Sequence, residues 1–208
     1  MKKYQDVLAL KPTQFSVGIL EIEVKVQELS KLNKNKLKKY IKDNPIPIII
    51  SPTKDLYLVD HHHLLFTFFQ MGITRVRTKV VDDLSKRHMS YSQFWQWMKK
   101  SHFYYPYCQF GEGPRNPLYL PNDIRGLADD PYRSLAWFVR KEGGYENSEK
   151  TFAEFSWANF FRHKKLLDRT GRQGLEKAIP KGVKLAQSKE ASKLPGFIKK
   201  KTAKKKRS

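Results

Sequence analysis

Hydrophobic residues in the first 88 positions recur with two different periods. Spacings of three and four residues, as in Ile22, Val26, Leu29 and Leu32, predict an amphipathic helix that begins at Ile19. Short apolar or alternating runs predict strands instead. The predicted helices also include residues 34–43 and 64–71, and the predicted strands are residues 7–10, 46–50, 56–59 and 75–81. A turn sequence at residues 51–55 joins two of these strands into a predicted hairpin.

After residue 90 the strand pattern largely disappears and aromatic residues become frequent. Phe94, Trp95 and Met98 fit one face of a helix. The sequence Asp-Asp-Pro at 129–131 predicts the start of another helix, because acidic caps and an early proline favour helix starts. A last helix is predicted over about residues 148–168. Beyond residue 170 glycine, proline and lysine dominate, and we expect a flexible basic tail there.

The 208-residue chain carries a formal net charge of +21, with a sequence pI near 10.0. Residues 177–208 contain twelve Lys or Arg and one acid, Glu190. Such charge attracts nucleic acid or an anionic membrane surface in a salt-sensitive way that is blind to sequence, although solubility alone would also account for it. The one cysteine, Cys108, excludes an intramolecular disulfide and a cysteine-based zinc site.

No run of about 18 apolar residues is present, so the sequence predicts no membrane-spanning helix. We expect a cytoplasmic protein, with association with the nucleoid if the chain binds DNA. The sequence does not indicate an oligomeric state.

The most distinctive polar cluster is Asp60-His61-His62-His63, which lies between a predicted strand and a predicted helix. The exposed N–H groups and positive dipole end of a helix attract anions. The cluster therefore indicates phosphate or metal binding. The alternative is a polar cap in which Asp60 caps the helix and the histidines lie at the surface. At most two of three consecutive histidines can face the same site.

A strand, an Asp-Gly-His-His-Arg sequence and a helix together characterise the ParB/sulfiredoxin superfamily, which this chain resembles. The resemblance is closest to its ParB-like nuclease family and covers about residues 6–165. It rests on blocks in the order that the family has them. The blocks are Leu10-Lys11-Pro12-Thr13-Gln14 with Val17-Gly18, Asn44 to Ile50, Asp60 to His63, Met71 to Val76, Asp129 to Ala136, Gly143 to Tyr145, and Phe152 to Ala158.

The resemblance implies an α+β protein. Residues 6–88 would form a small ParB/sulfiredoxin-like domain with a mixed sheet, residues 89–170 an all-helical extension, and residues 171–208 the disordered basic tail.

The resemblance also implies a phosphate-handling site. Asp60, His62 and His63 would act as acid–base groups, and Asp60 with His62 could hold a magnesium or manganese ion. Phosphate and substrate contacts would come from Thr13, Gln14, Gly18, Lys25, His61 and Arg133. For Arg133 the alternative is a salt bridge to Asp129 or Asp130. Glu154 could supply a second acid.

Two positions depart from the superfamily pattern, since His61 replaces the usual glycine and Leu64 the usual arginine. Both usual residues serve phosphate binding. Some relatives are free-serine kinases with a catalytic glutamate at the position of Gln14, whose amide cannot act as a base. Three functions remain open: a nuclease or related protein acting on nucleic acid or nucleotide, a nucleotide-dependent phosphotransferase, and a non-catalytic DNA-binding module.

Overall fold

The computed structural model describes residues 3–169 and 171–199. The chain divides between Asp130 and Pro131 into two compact units. The strands are β1 Tyr4–Asp6, β2 Leu10–Pro12, β3 Ser16–Val17, β4 Ile46–Ile50, β5 Leu56–Leu58, β6 Arg75–Asp83 and β7 Ala128–Asp129. The helices are α1 Ile19–Ser30, α2 Lys34–Asp43, α3 His62–Gln70, α4 Tyr91–Lys100, α5 Pro131–Lys141, α6 Ala153–His163 and α7 Gly171–Ala186.

The first unit is built on a mixed five-stranded sheet in the order β1-β6-β4-β5-β2. The pairs β1–β6 and β4–β5 are antiparallel, whereas β4–β6 and β2–β5 are parallel. The two edge strands, β1 and β2, are separated in sequence only by the 3-10 turn Val7–Ala9. The sheet must therefore curl, so that its two edges come close together.

Local sequence signals explain where the helices of the first unit begin and end. The Asn33 side chain accepts the Lys36 N–H at the start of α2, and Ser90 with Gln93 forms a capping box at the start of α4. Gly72, just after α3, has a φ of 72°, a left-handed conformation that favours glycine. The predicted hairpin of β4 and β5 is confirmed.

Hydrophobic side chains of β4 face both sides of the sheet. Ile46 and Ile48 belong to a core that α1 and α3 complete with Ile22, Leu65 and Phe68. Ile49 belongs to a second cluster. That cluster also contains Phe15, Leu84, Phe94, Trp95, Met98 and Tyr104. Helix α4 therefore packs within the first unit, and the contacts group it with the sheet although the sequence-based domain boundary was placed at residue 88.

The second unit consists of α5, α6 and α7. Its buried side chains include Leu135, Val139, Trp157, Phe161 and Leu175. A Cβ at Gly182 would lie 2.5 Å from Cγ2 of Val139, so the glycine lets α7 approach α5 closely. The α+β class and the helical extension inferred from the sequence are confirmed.

Two sequence-based assignments need correction. Residues 7–9 form a 3-10 turn rather than a strand, because the Asp6 side chain accepts the Leu8 N–H, and the strand is β2. Residues 171–199 are not a flexible tail, because α7 buries Leu175, Ala178 and Ala186, and the carbonyl of Pro195 accepts a hydrogen bond from Trp157. The rest of the predicted tail, residues 200–208, lies outside the described residues.

In the part of the chain that the structure describes, no helix has the length and apolar character needed to cross a bilayer.

Candidate functional site

Asp60 and His61 form the connection between β5 and α3. Asp60 is exposed, and its Oδ1 accepts the His61 N–H at 2.7 Å. His61 adopts a left-handed conformation with a φ of 64° and makes no side-chain cap to the helix. That backbone conformation explains why glycine suits this position in the superfamily pattern. The motif thus lies at a strand-to-helix junction, as the sequence predicted.

His62 and His63 are buried and point away from solvent, towards residues 13–18. Nε2 of His62 accepts the Thr13 N–H at 3.1 Å, and Nε2 of His63 accepts the Gly18 N–H at 2.9 Å. In each of the two rings Nε2 is therefore a hydrogen-bond acceptor. We accordingly assign both imidazoles as neutral, with the proton on Nδ1. The two histidines fix both ends of the segment 13–18.

Burial keeps His62 uncharged near neutral pH. Desolvation, assisted by the nearby His61, lowers the pKa of His62 from 6.5 to about 3. A neutral ring whose Nε2 already accepts a hydrogen bond suits a positioning role better than proton transfer.

The segment 13–18 is also held from other directions. The Thr13 hydroxyl donates to the Leu58 carbonyl at 2.7 Å, and the Gln14 side-chain amide donates to the Ser16 carbonyl at 2.6 Å. Strand β3 pairs in parallel with β7. The Tyr105 N–H donates to the Thr13 carbonyl at 3.0 Å. These contacts tie residues 13–18 to β5, to β7 and to the chain after α4.

Glu21 and Lys25 form an ion pair in α1 next to His63. Glu21 is 2% exposed, and its Oε1 lies 2.6 Å from Nζ of Lys25. Its Oε2 lies 3.4 Å from Nε2 of His63. Because Nε2 of this neutral ring accepts the Gly18 N–H and carries no proton, its contact with Glu21 is neither a hydrogen bond nor an ion pair. From the sequence, Lys25 was predicted to contact phosphate. Its ion pair with Glu21 was not predicted, although a spacing of four residues on a helix favours such a pair.

Asp129 supplies the cap that α1 lacks from its own sequence. Gly18 occupies the cap position and has no side chain to offer, and Oδ1 of Asp129 accepts the Ile19 N–H at 3.0 Å. Burial of the carboxylate and the nearby Glu23 raise the pKa of Asp129, and the bond from Ile19 partly opposes them. The Asp-Asp-Pro block is thereby linked to the first block of the family.

Arg133 lies in the second unit, where Glu154 is an ion-pair partner. Glu154 also pairs with Arg140, with Oε1 2.6 Å from Nη2. The guanidinium carbon of Arg133 lies 5.6 Å from the centroid of the Phe155 ring. Glu154 therefore balances two cations of its own unit.

Asp60 and His62, which were predicted to hold a metal ion, have no third candidate ligand among the described residues. Within residues 3–169 and 171–199, no group of three or more His, Cys, Asp and Glu side chains could hold a metal ion. Nε2 of His62 is also taken by the Thr13 N–H.

A basic pocket lies elsewhere in the first unit, between α2 and the N-terminal ends of β1 and β6. Its volume is about 530 Å³, and it is lined by Tyr4, Lys38, Lys39, Ile41, Lys42, Asp43 and Arg75. Four cations and one acid give it a net charge of +3. No site was predicted from the sequence for the lysines of α2.

A family model described as "Putative ParB-like nuclease" matches residues 4–163. The chain belongs to the ParB-like nuclease family. The ParB-like match spans the first unit together with α5 and α6, and α7 follows it. The solved structures include a similar one, the crystal structure of protein Atu1540 from Agrobacterium tumefaciens. It is 32% identical, with 95% of this chain and 96% of that chain covered and a TM-score of 0.82. The search of curated proteins gives no match.

Proposed function

We propose that this protein binds nucleic acid through phosphate contacts in the basic pocket. The observation that carries the proposal is the net charge of +3 in a pocket of about 530 Å³ on a folded surface. Lysine and arginine at such a surface bind phosphates and release counterions, which is the main source of affinity for nucleic acid. Membership of the ParB-like family is consistent with this partner. The proposal places the protein in the cytoplasm, at the nucleoid.

The surroundings of the pocket extend the positive surface. Arg75 donates to the Tyr4 carbonyl at 3.0 Å, and Arg77 donates to the Lys42 carbonyl at 2.6 Å. These bonds hold both guanidiniums beside the lysines of α2. Lys39 pairs with Asp43, and this contact lowers the pKa of the Asp43 carboxyl. Two of the four cations that line the pocket, Lys39 and Arg75, thus have defined partners.

Charge reversal in the pocket tests the proposal. K38E/K42E should weaken binding of labelled DNA at least tenfold and reduce the slope of log affinity against log salt by about two. The matched control K86E/K150E changes the net charge equally at exposed lysines outside the pocket and should change affinity by less than about threefold. Fluorescence anisotropy over a salt series measures both. Equal losses in the two variants, or no binding by the unmodified protein, would refute a specific pocket.

Phosphodiester cleavage is the second candidate, and the exposed carboxylate of Asp60 at the start of α3 favours it. In this candidate Asp60 faces the substrate, while His62 and His63 hold Thr13 and Gly18 in place. Asp60→Asn should lower product formation at least 100-fold in the presence of magnesium or manganese ions, without changing DNA affinity. A cleavage rate that is unchanged in this variant would remove Asp60 from the chemistry.

The phosphotransferase alternative has less support. The Gln14 amide, at the position of the kinase glutamate, donates to the Ser16 carbonyl and offers no base.

A further inference from the structure

Three strongly exposed hydrophobic side chains lie close together in the sequence of the first unit. Phe110, Leu118 and Tyr119 are 65%, 70% and 76% exposed, the highest values for large hydrophobic residues in the described part of the chain. All three belong to residues 106–119, which we name the aromatic loop. Phe110 and Tyr119 are aromatic, and an aromatic ring exposed to this extent has a face free for stacking.

The backbone of the aromatic loop is held in place by a ladder of hydrogen bonds. The Arg115 N–H donates to the Pro106 carbonyl at 2.7 Å, and the Cys108 N–H donates to the Glu112 carbonyl at 2.9 Å. The Tyr104 hydroxyl donates to the Arg115 carbonyl at 2.5 Å.

The other end of the loop is ordered in the same way. The Asn116 side chain accepts the Leu118 N–H at 3.0 Å, and the Asn116 carbonyl accepts the Tyr119 N–H at 3.1 Å. A braced backbone presents the rings of Phe110 and Tyr119 to solvent without the entropy loss of ordering a loop on binding.

The chemistry around the loop favours nucleobases as the occupant. Aromatic side chains stack on unpaired bases regardless of sequence, and nearby cations attract the backbone that carries the bases. Within the loop the exposed Arg115 offsets the exposed Glu112, so the excess of positive charge comes from Lys99 and Lys100, which are exposed at the end of α4, shortly before the loop in sequence. The whole chain carries a net charge of +21, which disfavours a basic protein partner.

We propose that Phe110 and Tyr119 stack on unpaired nucleobases, and hence that the nucleic acid bound by this protein is single-stranded. This inference rests on the proposed function, because the basic pocket supplies the phosphate contacts and the aromatic loop selects the strand state. Base faces are hidden inside a duplex, so the loop adds affinity only for a single strand.

The test compares an oligo(dT) of about 20 nucleotides with a duplex of the same length. F110A/Y119A should weaken binding of the single strand at least tenfold and change duplex binding by less than about twofold. Tyr119→Phe keeps the ring and should leave both affinities unchanged. Leu118→Ala is the matched control, since it removes an equally exposed apolar side chain that cannot stack, and it too should leave both affinities unchanged.

The outcomes separate the two proposals. If the protein binds duplex and single strand equally and F110A/Y119A affects neither, the inference is wrong and the proposed function stands. If Leu118→Ala weakens binding as strongly as F110A/Y119A, the loop makes a general apolar contact and base stacking is refuted. Binding to anionic lipid vesicles that is lost in F110A/Y119A, without any effect on oligo(dT) binding, would also refute it. A protein that binds no nucleic acid overturns both proposals.

Discussion

Acid should destabilise this protein through the buried histidine His62. In the folded state the pKa of His62 is about 3, whereas an unfolded chain has an ordinary value of 6.5. As the pH falls below 6.5, His62 becomes protonated in the unfolded state but stays unprotonated in the folded state. Stability is therefore unaffected above about pH 6.5 and falls between pH 6.5 and 3.

The size of the effect follows from the difference between the two pKa values. Each pH unit inside this window costs about 1.4 kcal/mol of unfolding free energy from this one group. At pH 5 the loss is about 2 kcal/mol, and across the whole window it approaches about 5 kcal/mol. These values are large compared with the total stability of a small domain, about 5–15 kcal/mol.

The variant His62→Gln isolates this contribution, because a glutamine oxygen can accept the Thr13 N–H but does not titrate. Urea unfolding followed by circular dichroism at pH 7, 6 and 5 gives the free energy of both proteins. We expect the difference between wild type and variant to shift by about 2 kcal/mol in favour of the variant between pH 7 and pH 5. A difference that stays constant with pH would refute the argument, since all other titrating groups are common to both proteins.

Two further substitutions test the packing of the helices. Leu175→Ala should lower the free energy of unfolding by about 2–5 kcal/mol, because this side chain of α7 is 3% exposed. The control Lys177→Ala, at an exposed position of the same helix, should change it by less than about 0.5 kcal/mol. Equal small effects of the two variants in chemical denaturation would show that residues 171–186 are not a packed helix. Ser90→Ala should lower the free energy of unfolding by about 1 kcal/mol, because it removes the capping box of α4. Ser92→Ala, at an exposed position of the same helix, is the control. Equal effects of the two variants on thermal unfolding would contradict the role of the cap.

Local patterns in the sequence were enough to place most elements of the first unit. Helix α2 begins and ends where Asn33 and the Asn44-Pro45 pair indicate, and Leu37, Tyr40 and Ile41 pack on the core as their spacing predicts. The strand-to-helix position of Asp60 was equally visible, because an apolar strand stops there and an apolar helix follows.

Local patterns could not predict interactions between residues that are distant in the sequence. The bond from Thr13 to His62 joins residues 49 positions apart, and nothing local distinguishes a histidine that accepts a backbone N–H from one that faces solvent. The ion pair of Arg133 with Glu154 joins residues 21 positions apart, and no local pattern indicates it. Catalytic roles for Asp60, His62 and His63 stay a prediction.

Helix α7 was missed because, apart from Leu175, its buried face is made of small residues. Gly174, Ala178, Gly182 and Ala186 recur every four positions among lysines, which resembles a solvated chain when only large hydrophobic residues are weighed. Small residues permit close helix contact, and the close approach of Gly182 to Val139 shows their effect.

The curled sheet has a consequence for how the chain assembles. Residues 4–12 provide the strands on both margins, one beside Arg75–Arg77 and the other beside Leu56–Leu58. During synthesis these residues exist before either partner does, so neither margin can close until β5 or β6 has been made. Until then β5 and β6 offer unpaired backbone to other nascent chains. A chain cut after Pro12 would leave β5 and β6 each without a partner strand on one side, and we expect it to self-associate.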